Sequence, residues 1–434
     1  KAKKTKKGVI NMKDFKEYRL FSECRSLYAS TEDYRRTLRF MFRLKDKINV
    51  DSLTHAIQMV QKRYPYFCVE LKKDDNGFYF IKNERDIILE NLNKNITLNT
   101  EESNYHLISF QYSDDNYIVF NASHYLTDGN TAYALIRTLL YYYITKAYNA
   151  ELSKDNIRLI EDEISEEEFN DPLVKPKNLV KPTQVNYSTC LHLLKDNHFE
   201  NQGKPIFHLT INEKELMDYV RSIKATPATF LLLLLARAIK KINPTSEKMI
   251  RMNLVYDLRK ALNTPLAHQS LISGILFDYD EKFINLSLEE EIKEMRGKIK
   301  ETLEEPKASE AITSTFGLLS MIAKEKDMNK VKYISSMVTN KTTEIITSSL
   351  SYVGKANFGD AEKYITDFKT IASSIIPLSI QLAAVNGQFF LEFIQNFEDE
   401  RYFNAFKEEL DSHKIKYEFK EKFMIELPKI KDVI

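Results

Sequence analysis

Two periodicities run through this chain, one of period two and one near 3.6, and the places where they switch lay out its elements. Leu38 to Leu44 reads Leu-Arg-Phe-Met-Phe-Arg-Leu and is dense in strand formers. Asp51 then has the character of an N-cap, and Leu53, Ala56, Ile57 and Val60 recur at helical spacing. That helix should stop before Pro65, whose ring disfavours a helical residue ahead of it. Phe67 to Leu71 and Gly77 to Ile81 alternate around Asp74-Asp75-Asn76-Gly77, which predicts a hairpin. Strands are expected at Tyr105 to Tyr112 and Tyr117 to Ser123. A helix is expected over Asn130 to Tyr148, with Ala134, Leu135, Thr138 and Leu139 on one face.

The same alternation returns in the second half. A strand over Ile206 to Ile211 leads into a helix from Asn212 or Glu213 to about Ile223. Thr226-Pro227 pairs a capping residue with proline at the first helical position. The helix that follows, Phe230 to Ile242, is apolar almost all round and should be buried. Further strands are expected at Met249 to Tyr256, Leu271 to Tyr279, Ile345 to Tyr352, Ile375 to Val385 and Gln388 to Asn396. A charged helix is expected over 288–304 and a final one over Asp399 to Ser412.

Between the halves the character changes. Acidic residues cluster from Glu161 to Glu168, and Pro172, Pro176 and Pro182 follow at short intervals, which reads as a linker. The division is therefore a basic, disordered or non-native leader over 1–12 with Met12 as the native start, an N-terminal lobe over 13–160 opened by an amphipathic stretch at 13–30, a linker over 161–185, and a C-terminal lobe over 186–434. Mixed helix and strand on both sides of a linker predict the α/β (α+β) class, as two lobes. A length of 434 residues agrees, because one core rarely grows that far.

Composition mainly excludes. A formal net charge of +1 gives no basic footprint for a nucleic-acid partner. Cys24, Cys68 and Cys190 offer neither a disulfide framework nor a CxxC metal pair, and a reducing, cytoplasmic compartment fits them. The longest apolar run, Phe230 to Ala236, is too short for a membrane span. No GxGxxG, GxxxxGK[ST], GxSxG or HExxH occurs, so dinucleotide, P-loop, hydrolase-elbow and zinc readings lose their support. His192 and His198 are six apart, and no metal site is read there. His55, His106, His208, His268 and His413 are read as structural or surface residues.

One segment carries chemistry. Asn121-Ala-Ser-His124-Tyr-Leu-Thr-Asp128-Gly129 joins a strand to a helix, so His124 is delivered at a strand end on a rigid scaffold. Its imidazole titrates near neutrality and can both take and return a proton. Gly129 is expected to permit a backbone turn that a Cβ would resist. The alternative is a half-buried histidine that only packs, with Asp128 capping the next helix.

The segment resembles the HxxxDG signature of the chloramphenicol acetyltransferase-like superfamily, which includes condensation domains, plant BAHD acyltransferases and alcohol acetyltransferases; here it reads Ser123-His124-Tyr-Leu-Thr-Asp128-Gly129. Ser123 stands where many members have a first histidine. The stretch from Asn49 to Phe67 is similar to the family's first helix with its R-x-P end, and Tyr256-Asp257-Leu258-Arg259 to its D-x-R segment. Ser348 to Gly359 is similar to the S-N-x-G segment of alcohol acetyltransferases; the DFGWG motif of the plant enzymes is missing.

The resemblance implies two similar lobes, each a mixed sheet with flanking helices, forming a pseudo-dimer with an interlobe tunnel and a crossover segment near 345–360. It implies His124 as general base, Asp128 turned away and paired with Arg259, and Ser351 or Ser123 as candidate oxyanion or channel residues, with a plain strand position as the alternative for Ser351. The implied activity is acyl transfer from an acyl thioester, acyl-CoA first, to a small-molecule alcohol or amine, with no permanently bound cofactor and no metal. Two alternatives stand beside it: a donor carried on the phosphopantetheine arm of an acyl carrier protein, and a catalytically silent binding or scaffold member.

Overall fold

Strands covered on both faces are buried at nearly every position, and Thr37–Leu44, Tyr117–Ser123 and Leu378–Val385 are so, with Arg39, Asn121 and Gln381 among their buried residues. The computed structural model describes residues 17–19, 36–74, 77–173, 176, 179–181, 190–200, 204–325 and 327–431. In the N-terminal lobe, β1 (Thr37–Leu44) is buried except at Arg43. It leads to α1 (Val50–Arg63), whose cap is Asn49 and not Asp51: the Asn49 side chain accepts the Ser52 N–H at 2.9 Å. Asn49 has the extended backbone a cap requires, while Asp51 sits in the first turn, where its charge meets the positive end of the helix dipole. The helix ends ahead of Pro65, and Val69–Asp74 pairs antiparallel with Gly77–Lys82 as the hairpin pattern predicts. Turn residues 75 and 76 lie outside the described residues. So does the opening 1–30, apart from Glu17–Arg19, a short strand on the same hairpin.

β2 (Ile108–Tyr112), β3 (Tyr117–Ser123) and α2 (Gly129–Tyr148) complete the N-terminal lobe. The segment expected as a linker is more than a connection. Glu166–Phe169 forms one helical turn, and Glu168 is buried within it. Its carboxylate accepts two hydrogen bonds from Arg63 (3.0 and 3.1 Å) and one from the Tyr66 hydroxyl (2.6 Å), with Arg158 at 3.3 Å. A buried carboxylate needs such partners, so this acidic segment is pinned to the end of α1.

The second half contributes β4 (Pro205–Asn212), α3 (Glu213–Ser222), α4 (Pro227–Ile242), β5 (Ile250–Asp257), β6 (Ile272–Tyr279) and α5 (Leu288–Leu303). Then come α6 (Lys307–Lys324), α7 (Met328–Ile345), β7 (Ser348–Lys355), β8 (Ile365–Ala372), β9 (Leu378–Val385), β10 (Gln388–Gln395), α8 (Arg401–Ser412) and β11 (Tyr417–Met424). α4 is buried nearly all round, as its composition demands, and the Thr226 hydroxyl caps it by accepting the Thr229 N–H.

Two sheets result. The C-terminal sheet has the order β6-β5-β7-β9-β10-β4-β11, and the N-terminal sheet the order β8-β1-β3-β2 followed by Leu89–Asn91. β8 comes late in the chain yet pairs antiparallel with β1 of the N-terminal lobe. The strand that crosses between lobes is thus 365–372; the stretch 345–360 supplies β7 to the C-terminal sheet instead. Where the sheets meet, Met41, Val119 and Ile371 from one pack with Ile206 and Ile394 from the other. The fold is mixed α/β, a pseudo-dimer of two lobes, each a sheet flanked by helices.

Candidate active site

β3 runs buried to Ser123 and stops because the chain must turn before α2. Ser123 is fully buried, and its Oγ accepts the Tyr125 N–H at 3.2 Å. It is not among the residues that line the cavity described below, and its hydroxyl serves the turn. The His124 N–H donates to the Arg36 carbonyl at 2.7 Å, which fixes the ring's root on the strand preceding it in space.

The ring is held by one nitrogen. Nδ1 lies 2.8 Å from the Thr127 carbonyl oxygen. A carbonyl only accepts, so Nδ1 carries the proton and Nε2 keeps a lone pair. Ser270 Oγ sits 3.3 Å from the same Nδ1 and accepts a weaker branch of that bond. Nε2 makes no hydrogen bond to any described residue, and the ring lines the interlobe cavity. Burial pushes the imidazole pKa down, the nearby Arg36 guanidinium adds to this, and Asp128 opposes them; the result is about 4. At neutral pH the ring is therefore an uncharged base.

Asp128 does two jobs at once. Oδ1 accepts the Asn130 N–H at 3.1 Å and caps α2. Its two oxygens also take a two-pronged pair from Arg259, at 2.9 and 3.2 Å, and Oδ2 accepts the Leu271 N–H at 3.0 Å. Capping and pairing, posed as alternatives by the sequence, coexist. Arg259 in turn donates to the Ala267 and Gln269 carbonyls and to Asp257. Both side chains of the pair are almost fully buried, at 3% and 4% exposure. A planar fork in a dry site fixes the turn from the opposite lobe.

Gly129 is required for space rather than for a special dihedral. Its φ lies outside the left-handed region, which among the described glycines holds only Gly354, Gly359 and Gly387. A Cβ on Gly129 would come 2.6 Å from Cγ2 of Val353, because β7 runs close over the start of α2.

His124, Asp128, Gly129 and Ser351 all line one cavity of about 570 Å³ between the lobes, while Arg259 sits beneath it. Ser351 is half-buried on β7, on the wall of this cavity. Sequence reasoning missed Ser270 and Arg36. Neither belongs to a motif, and each reaches His124 from a loop whose path only the fold sets. It also undervalued His268, whose Nδ1 donates to the Glu168 carbonyl behind the site at 2.8 Å. Cys68 is no nucleophile: it is buried, and burial raises its thiol pKa to about 12. Cys190 is buried as well, and Cys24 lies outside the described residues.

No protein-family model and no curated protein matches this chain. Solved structures do. Trichothecene 15-O-acetyltransferase TRI3 from Fusarium sporotrichioides aligns with a TM-score of 0.61 at 10% identity, over 92% of this chain and 95% of that one. The condensation domain of the monacolin K polyketide synthase MokA aligns at 0.58 and 12%, over 90% and 94%. TRI101 from F. graminearum, solved with coenzyme A and T-2 mycotoxin, aligns at 0.57 and 11%, over 91% and 98%. The chain thus has the chloramphenicol acetyltransferase-like, condensation-domain fold, over nearly its whole length.

Proposed function

We propose that the chain transfers an acyl group from a thioester, with acyl-CoA as the donor, to an alcohol or amine, and that His124 is its general base. The observation that carries this is an imidazole whose Nδ1 is held by the Thr127 carbonyl and whose ring lines a cavity between the two lobes. Nε2 takes the proton from the acceptor as its oxygen or nitrogen attacks the thioester carbonyl. The oxyanion collapses, the carbon–sulfur bond breaks, and the departing thiolate takes the proton back from Nε2. No covalent enzyme intermediate is needed, in keeping with the inert thiol of Cys68. Ser351 is the candidate donor to the oxyanion. The Asp128–Arg259 pair acts by holding the turn.

The fold supports this reading, since structures that share it include an acetyltransferase, a condensation domain and an enzyme bound to coenzyme A. The donor's source is the finer point. Thiol release from acetyl-, butyryl- and octanoyl-CoA with a panel of alcohols and amines tests it, with a phosphopantetheine-borne acyl group in parallel. His124→Ala should lower kcat/KM by roughly 10²–10⁴-fold, the span expected for a lost general base. Equal thiol release by both proteins would remove the assignment and leave a silent member of the fold.

A further inference from the structure

The cavity is lined by two chemically different sets of residues. Its charged lining residues, Arg36, Asp128 and Asp257, all gather at His124: Arg36 through its carbonyl on the His124 N–H, Asp128 through the shared turn, and Asp257 through Arg259 and Asn130. A second part of the lining comes from α6 and α7 and from the loop after β8. Leu318, Ile322, Val338, Ile345, Ile346 and Ile376 belong to it, and none is charged. Three of these, Ile345, Ile346 and Ile376, form one apolar cluster with Leu276 and Ile375, which also line the cavity. Thr342 is the polar side chain that α7 adds to this wall, and its hydroxyl is tied to the Val338 carbonyl at 2.8 Å. Ser373 and Ser374 also line it from the loop after β8, where Ser373 Oγ accepts the Thr37 N–H at 3.2 Å and Ser374 Oγ accepts the Ile376 N–H at 3.0 Å.

A wall that is mostly aliphatic, with its few hydroxyls tied to the main chain, rewards chiefly apolar surface removed from water. We infer that this wall holds the hydrocarbon tail of the acyl donor, so that the protein prefers medium-chain acyl groups over acetyl. The inference rests on the acyl-transfer reading for the identity of the chain. The acceptor must bring a hydroxyl or amine to Nε2 and so belongs with the polar residues around it, whereas the acyl tail needs nothing but burial. α6 and α7 thereby become specificity elements.

The test is a chain-length series on the wild-type protein, from acetyl- through butyryl-, hexanoyl- and octanoyl-CoA, reading thiol release. kcat/KM should rise by up to about fourfold per added methylene while the tail is being buried, the equivalent of ~0.8 kcal/mol per CH₂. Val338→Phe, and independently Thr342→Phe, should lower the ratio of the octanoyl-CoA rate to the acetyl-CoA rate by at least about tenfold, because a ring in the pocket takes the place of methylenes. A wild-type profile that is flat or falls with length overturns the inference, as does a profile that neither variant alters. If no donor releases thiol, titration calorimetry separates the two claims. Octanoyl-CoA binding at least about tenfold tighter than free coenzyme A, with the difference lost in Val338→Phe, keeps the pocket and removes acyl transfer. Equal affinities remove the pocket.

Discussion

Two histidines of this protein are buried and have opposite fates. His124 is 9% exposed and His208 not at all. His124 is held by a neutral main-chain carbonyl on Nδ1, with Nε2 open to the cavity. His208, on β4, is clamped on both sides, with Nδ1 3.0 Å from Glu392 and Nε2 2.8 Å from Asp367. Burial alone would lower both pKa values. In His208 the hydrogen bonds and charges of Asp367 and Glu392 outweigh burial and lift it to about 9, while His124 drops to about 4. Around His208 stand Lys369, bonded to Asp367 and the Tyr117 hydroxyl and paired with Glu421, and the ring of Phe390 stacked on the imidazole. This cluster fastens β8 to strands of both lobes. Burial does not make a base; the second nitrogen's partner decides whether a dry imidazole becomes a base or a cationic pin.

The widest separation between the two regions should appear on deletion. His208→Ala leaves two carboxylates without their central cation, and denaturant unfolding should show a loss of about 3–5 kcal/mol, as for breaking any buried ion pair. Thiol release by the folded fraction should change little, the reverse of His124→Ala. A His208→Ala protein of wild-type stability with lost activity would erase the contrast.

The next effect is in pH. The folded pKa of His208 lies above the ordinary 6.5, so its contribution to stability is complete below about 6.5 and is lost as pH rises to about 9. The stability gap between wild type and His208→Gln should therefore shrink over that alkaline interval. His124 has the opposite sign. Its folded pKa of about 4 keeps the base form through neutral and mildly acidic solution, and kcat/KM should fall only as pH approaches about 4. An acid limb centred near 6.5 would mean that the ring is not desolvated as described.

The smallest effect sharpens how the base is oriented. Ser270→Ala removes the weaker branch at Nδ1 while Thr127 keeps the stronger one. The loss should be about 0.5–1 kcal/mol, a two- to fivefold fall in kcat/KM with unchanged KM. A hundredfold fall would make Ser270 rather than Thr127 the group that sets the tautomer.

Much of this was legible along the chain, for definite reasons. The strands at Leu38–Leu44 and Tyr117–Ser123 and the helix over Asn130–Tyr148 are written in local pattern, and so is the buried helix opened by Thr226-Pro227. The pairing of Asp128 with Arg259 followed from the resemblance and is present, although 131 residues separate them. α6, α7, β8 and β11 were not foreseen. β8 places Asp367 and Lys369 at inward positions, which breaks the apolar pattern of a buried strand, and its charges make sense only beside His208 and Tyr117. Glu168 likewise read as part of a solvated acidic run, because nothing local reveals that Arg63 and Tyr66 will meet it.

The sequence by itself determined the periodic elements, the division into two lobes, and the histidine turn, since each depends on residues within a few positions of one another. Only the tertiary structure decided which strand crosses between lobes, why Gly129 must lack a Cβ, and which buried histidine is neutral. Those outcomes depend on distances between groups far apart in the chain, and on the charge and room that one lobe presents to the other.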